Sequence, residues 1–248
     1  MIDVRLVWDG NGTDWWSTPS WQHVNAVTHK FQPWTEIKKD GLAYNMRFLT
    51  HSEGDRSILH INFKWSSSLV DWKTNFSFFA EQIKKYRQAY QNSEKPWFGH
   101  CGFLDGFATF RPILRQVVQE NINTIKMIIF TGFSQGGDYA ILGHEDMKFL
   151  KEQMGYTFEV KTVAYAPAQL VHEKNMENVY DRIKDVIIVK DWADIVPCLP
   201  FEEMGFTTIG QVQMIGCRAL RFLPTPIPHS GPEYGFTMRK DKRYNSQL

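Results

Sequence analysis

The chain has no stretch of about 18 uncharged apolar residues, so no helix long enough to cross a bilayer is expected from it. Cysteine is scarce. Cys101, Cys198 and Cys217 are odd in number, widely spaced and without a CxxC pair, which excludes a disulfide framework and a thiolate zinc site and leaves free thiols buried in the fold. Charge of one sign is missing too: the formal balance is +1, and the basic runs Lys84-Lys85-Tyr86-Arg87 and Arg239-Lys240-Asp241-Lys242-Arg243 read as solvated surface, so no nucleic-acid partner is expected. The first residues, Met1 to Asn11, lack the charged-then-apolar layout of a secretory signal, and a cytoplasmic protein without a transmembrane segment is the expectation.

Hydrophobic and aromatic side chains are plentiful, 43% and 15% of 248 residues, enough for one large core. No linker or repeat divides the chain, so residues 1–248 are expected to form a single domain, with 1–57 a tryptophan-rich N-terminal extension packed on it.

Strand-like runs occur at Ala43 to Leu49 and Ile58 to Phe63, and a helical stretch from about Val70 to Tyr90. A helix carrying Phe107, Phe110, Leu114 and Val117 precedes a strand from Ile125 to Phe130, and a second helix carries Ala140, Gly143, Met147, Leu150 and Met154 before Gly155, a C-terminal stop. Further strands are expected at Phe158 to Ala164, Val186 to Val189 and Ala219 to Leu223, with helical character in Glu173 to Arg182. Strands alternating with helices imply right-handed crossovers and a mostly parallel, doubly wound sheet flanked by helices: an α/β fold.

Between the strand ending at Phe130 and the helix that follows lies Gly132-Phe133-Ser134-Gln135-Gly136-Gly137. GxSxG at such a junction suggests a serine lifted onto a tight turn, where Gly132 and Gly136 leave room for crowded backbone. A serine hydroxyl is a poor nucleophile at neutral pH; it requires a histidine to accept its proton and a carboxylate to hold the imidazole. The acid belongs after a later strand, and Val186 to Val189 leads into two candidates, Asp191 and Asp194, of which the one farther beyond the strand is favoured. For the base, His229 in Pro228-His229-Ser230-Gly231-Pro232 fits the order serine, acid, histidine; His144 and His172 lie in expected helices, and His51 and His60 precede the serine. One oxyanion donor is the backbone N–H of Gln135, and the other is expected in Lys64-Trp65-Ser66-Ser67-Ser68.

Taken together, the segments resemble the class 3 lipase family of α/β-hydrolases. Ile61 to Ser66 with Val70-Asp71-Trp72 is similar to the family's FRG[ST] strand end and downstream DW, and His100 to Asp105 to its HxGF block. Residues 132–137 resemble its GHSLGG elbow, Asp194-Ile195-Val196-Pro197 its DxVP acid loop, and His229 with Tyr234 its terminal histidine loop. The resemblance implies an α/β-hydrolase fold with Ser134 as nucleophile, Asp194 as acid, His229 as base, and Ser66 and Gln135 as oxyanion donors. It implies a carboxylic ester hydrolase (triacylglycerol lipase, phospholipase A1-like enzyme or esterase) that needs no metal or organic cofactor. The partners implied are a small acyl ester or lipid substrate and transient contact with a lipid surface, with a lid carrying Phe76, Phe78 and Phe79 beside Glu81, Lys84 and Lys85. Lys64-Trp65 stands where the family has arginine and glycine, which leaves a second reading: a lipase-like binding protein without turnover. A third keeps the machinery for a non-lipid ester or thioester.

Overall fold

The computed structural model describes residues 35–39, 42–53, 56–63, 85–89 and 94–216. The expected helix at 70–84, the lid phenylalanines, Trp65, Ser66, Cys217, the strand at Ala219 to Leu223 and His229 lie outside those residues.

A seven-stranded sheet runs in the order β1-β2-β3-β6-β7-β9-β11. Its strands are β1 (Thr35–Lys39), β2 (Leu42–Glu53), β3 (Arg56–Phe63), β6 (Ile125–Phe133), β7 (Glu159–Tyr165), β9 (Ile187–Asp191) and β11 (Gln211–Ile215). The first three pair antiparallel. From β3 onward every pairing is parallel, as the alternation of strands and helices predicts. Parallel strands covered on both faces are apolar throughout. In β6 every residue except Lys126 is buried.

Three helices flank the strands among the described residues: α1 (Cys101–Asn121), α2 (Gln135–Met154) and α3 (Glu177–Ile183). α2 ends where expected, on Gly155 in the left-handed region at φ 69°. The core behind the GxSxG turn is aromatic. Phe110 of α1 packs edge-on against Phe63 and Tyr139, each at 5.2 Å between ring centres, joining β3, α1 and α2. Such pairs contribute roughly 0.5–1.5 kcal/mol each beyond the area they bury.

A second, four-stranded sheet was not apparent in the sequence. It runs β10-β8-β5-β4, from β10 (Phe206–Thr207), β8 (Val171–His172), β5 (Phe98–His100) and β4 (Tyr86–Gln88), all antiparallel. β4 therefore corrects the expectation of helix up to Tyr90. His172 also departs from expectation: it lies on β8, its ring stacked 3.7 Å from that of Tyr86. His144 is helical as expected, but fully buried. Burial lowers its pKa, so the ring is neutral, with Nε2–H donating to Asp185 Oδ1 (3.2 Å) and Nδ1 accepting from the Thr162 hydroxyl (2.9 Å). Asp185 feels the opposite balance: its partial burial disfavours charge, but bonds from His144 and Lys148 hold it well below the usual carboxylate range. With His144 neutral, Lys148 is the cation of this group. Cys101 and Cys198 are free thiols, but half-buried rather than buried.

Candidate active site

The central strand β6 delivers the chain to Ser134 at its carboxyl end, and α2 starts at the next residue. Ser134 adopts φ 53° and ψ −128°, a conformation that non-glycine residues rarely hold and that costs roughly 1–3 kcal/mol. The surroundings enforce it. Its N–H donates to the Tyr165 carbonyl at the end of β7 (2.8 Å), and its own carbonyl accepts from Gly137 N–H (2.7 Å) as the helix begins.

The glycines of the turn follow from contact. A Cβ on Gly132 would stand 2.0 Å from the carbonyl oxygen of Gly136, and one on Gly137 would stand 3.1 Å from the carbonyl of Tyr165. Farther along α2, Gly143 lets the helix settle on the Phe130 ring, which a Cβ would meet at 2.8 Å. Gln135 is the first residue of α2, so its amide lies in the opening turn of the helix, directly after Ser134. That end of the helix also carries the positive pole of its dipole.

Both carboxylate candidates stand at the same edge of the sheet as Ser134. β6, β7 and β9 are adjacent and parallel, so the segment after β9 emerges beside the elbow, with only β7 between. Asp191 closes β9 and accepts the N–H of Ala193 at 2.9 Å; Asp194 lies in the loop beyond and accepts the N–H of Val196 at 2.9 Å. Both are buried. The structure thus places Gly132, Ser134, Gln135, Gly136 and Asp194 along one edge of the sheet, and β3, whose following residues include Ser66, ends at Phe63 in register with Gly132 of β6.

Beside the acid loop opens a cavity of about 360 Å³, lined by Gln169, Trp192, Asp194, Ile195, Phe201 and Glu202 among others. That volume lies within the range of small-molecule sites. Ile195 and Phe201 are large apolar side chains left exposed.

Sequence reasoning missed two groups near this edge. Asp138, in the first turn of α2, is fully buried: Oδ2 accepts the N–H of Ala168 (3.3 Å) and Oδ1 has no hydrogen-bond partner among the described residues. Burial raises its pKa well above the usual carboxylate range, so the side chain keeps its proton far more readily than a surface aspartate. An acid at the start of a helix ordinarily reads as a solvated charge facing the dipole, and nothing in the local pattern distinguishes this one. Lys190 is the second, the single cation in the apolar run of β9; its Nζ donates to the Pro197 carbonyl (3.0 Å) and the Thr208 hydroxyl (2.8 Å).

No described helix is long and apolar enough to cross a membrane. No curated protein sequence matches the chain. Among solved structures the fold is similar to Rhizomucor miehei lipase in its propeptide complex, at 18% identity and TM-score 0.56, covering 77% of this chain and 58% of that one. It is also similar to a triacylglycerol lipase whose catalytic centre is described as a serine protease triad, at 18% identity and TM-score 0.58, covering 77% and 68%. A fungal lipase–inhibitor complex described as a model for interfacial activation is similar at 17% identity and TM-score 0.62, covering 84% and 82%. The chain therefore spans between 58% and 82% of the length of these lipases. At such identities they establish the α/β-hydrolase fold. Residues 60–204, more than half of the chain, match the sequence model of the class 3 lipases, and the chain belongs to the lipase (class 3) family.

Proposed function

We propose that the protein is a serine hydrolase cleaving the carboxylic ester bonds of acyl lipids through an acyl-enzyme. The observation that carries this reading is the conformation of Ser134, held at φ 53° on a strand-to-helix turn with Asp194 at the same sheet edge. Strain of that kind persists only where the surroundings enforce it, and it is what lifts a nucleophile clear of its own backbone. Family membership and a neighbour whose catalytic centre is a serine protease triad support the same assignment.

In the proposed reaction Ser134 Oγ attacks the ester carbonyl while its proton passes to His229, whose imidazole Asp194 orients. The oxyanion so formed takes hydrogen bonds from the N–H of Gln135 and from Ser66. Collapse expels the alcohol, which takes the proton from His229. Water, deprotonated by the same histidine, then releases the fatty acid and restores the serine. The exposed apolar side chains of Ile195 and Phe201, which line the cavity beside Asp194, suit an acyl substrate presented at a lipid surface.

A fluorophosphonate probe tests the reading directly. The folded protein should take one label, at Ser134, and lose it in Ser134→Ala; hydrolysis of p-nitrophenyl esters of increasing chain length should vanish with the same substitution. A folded wild-type protein that neither labels nor hydrolyses any ester of the series sinks the proposal.

A further inference from the structure

Lys190 sits where an apolar strand meets the acid loop. In β9 it follows the apolar Ile187 to Val189 and precedes Asp191, and β11 pairs alongside it, with Met214 opposite Lys190. Burial lowers the pKa of its ammonium, and nearby acidic groups act in the opposite direction. The titratable groups that face it are Asp194 of the loop, Glu202 of the 3₁₀ turn Glu202–Met204, Asp138 of α2 and Cys198 of the 3₁₀ turn Val196–Cys198, of which the Asp194 and Glu202 carboxylates offset the effect of burial.

The bonds of this ammonium are specific. The loop after β9 has little secondary structure; it is held by the Asp194 carboxylate on Val196 N–H and by turn bonds from Cys198 N–H to Ile195 and from Leu199 N–H to Val196, each 2.9 Å. These bonds knit residues 194–199 into one compact unit. Lys190 ties that unit down from the strand through the Pro197 carbonyl, and reaches across to the Thr208 hydroxyl on the segment leading into β11.

We propose that Lys190 is a positioning residue for Asp194, clamping the loop that carries the carboxylate to the end of β9. The inference rests on Asp194 being the acid of the triad. A carboxylate that orients an imidazole acts through its placement, and an error of about 1 Å in such a group can cost about a hundredfold in rate. Removing the clamp frees the loop at Pro197 and also withdraws the cation that answers the carboxylates gathered there.

The test is a double-mutant cycle, with kcat and KM measured on a short-chain p-nitrophenyl ester per mole of folded protein. Lys190→Met should lower kcat by about 10- to 100-fold with KM changed by less than about twofold, and should lower the residual rate of Asp194→Ala by less than about twofold, because its effect passes through the acid. An equal loss in both backgrounds, or full activity of Lys190→Met beside an impaired Asp194→Ala, overturns the positioning role and leaves the triad standing. Wild-type activity in Asp194→Ala overturns the triad assignment itself. Should Lys190→Met not fold, Thr208→Val serves: it keeps the charge, removes one of the two bonds, and should reduce kcat in the wild-type background but not in Asp194→Ala. The pH profile adds a readout that a merely structural lysine would not move. Wild-type kcat should fall at alkaline pH as the ammonium deprotonates, and Lys190→Arg should carry that fall to higher pH; an identical alkaline limb in both proteins counts against the clamp.

Discussion

Gly132 and Gly136 meet backbone to backbone, so closely that a Cβ on Gly132 would lie 2.0 Å from one atom of the Gly136 peptide and 2.2 Å from another. Neither atom belongs to a side chain that could swing aside. Gly132→Ala is therefore expected to cost more than about 4 kcal/mol and to abolish fluorophosphonate labelling. Gly155→Ala is the contrast: φ is 69° but nothing lies within 4 Å of the new methyl, so only the backbone cost of about 1–2 kcal/mol remains, or roughly 2–8 °C in Tm. Thermal melts of the two variants check the pair, and similar melting temperatures would count against the elbow geometry.

Asp191 and Asp194 are equally buried, yet only one should matter for chemistry. Asp194→Asn should reduce kcat by about 10³- to 10⁴-fold, as expected when the group that fixes the imidazole tautomer is lost. Asp191→Asn, at the end of the strand, should stay within about tenfold of wild type. Steady-state kinetics on one soluble ester separates them, and the reverse order would move the acid to Asp191.

Asp138 links pH to stability with a definite sign. Its folded-state pKa is raised by burial, so its contribution is fully present below the unfolded value near 3.8 and is lost as pH rises through the folded value. Asp138→Asn removes this dependence while keeping the shape. The stability of the variant relative to wild type should therefore climb as the pH rises above the unfolded value near 3.8, by up to about 1.4 kcal/mol per pH unit, until the folded value is passed. Urea unfolding at several pH values measures the gap; a gap independent of pH would show that the carboxyl is not buried as described.

His144 works in the other direction. Burial lowers its folded-state pKa below 6.5, so the stability it contributes is present above pH 6.5 and is lost as pH falls through the folded value. Its ring resonances in an NMR titration should change with a midpoint below the ordinary 6.5, and His144→Gln should flatten the loss of stability on acidification. Ordinary titration near 6.5 would contradict the buried Thr162 and Asp185 contacts.

Much of the large sheet was readable because its central strands are apolar on both faces. Ile58 to Phe63, Ile125 to Phe130, Phe158 to Ala164 and Val186 to Val189 each foreshadow a strand found within a few residues of the same bounds. The elbow was readable because its glycines are demanded by contact. β11 was not, since Gln211-Val212-Gln213-Met214-Ile215 is partly exposed and owes its place to pairing with β9 rather than to its own composition. The small sheet escaped for another reason: strands of two or three residues are too short to show any period. Within the site, Ser134 and Asp194 carried motif context, whereas Asp138 and Lys190 are single charges whose burial depends on what the rest of the chain folds over them.

The small sheet has a mechanical meaning. The chain leaves the large sheet at Asp191 and regains a ladder at Phe206, where β10 pairs with β8 of the small one, and midway the Leu199 carbonyl accepts Gln169 N–H at 2.7 Å. Asp194 thus rides on a bridge whose two abutments stand on different sheets, while Ser134 is fixed to one of them alone. Under the proposed triad, a shift of one sheet against the other would change the span between Ser134 and Asp194, so a substitution at the His172–Phe206 pairing is expected to act as a tuning screw on that gap from outside the site.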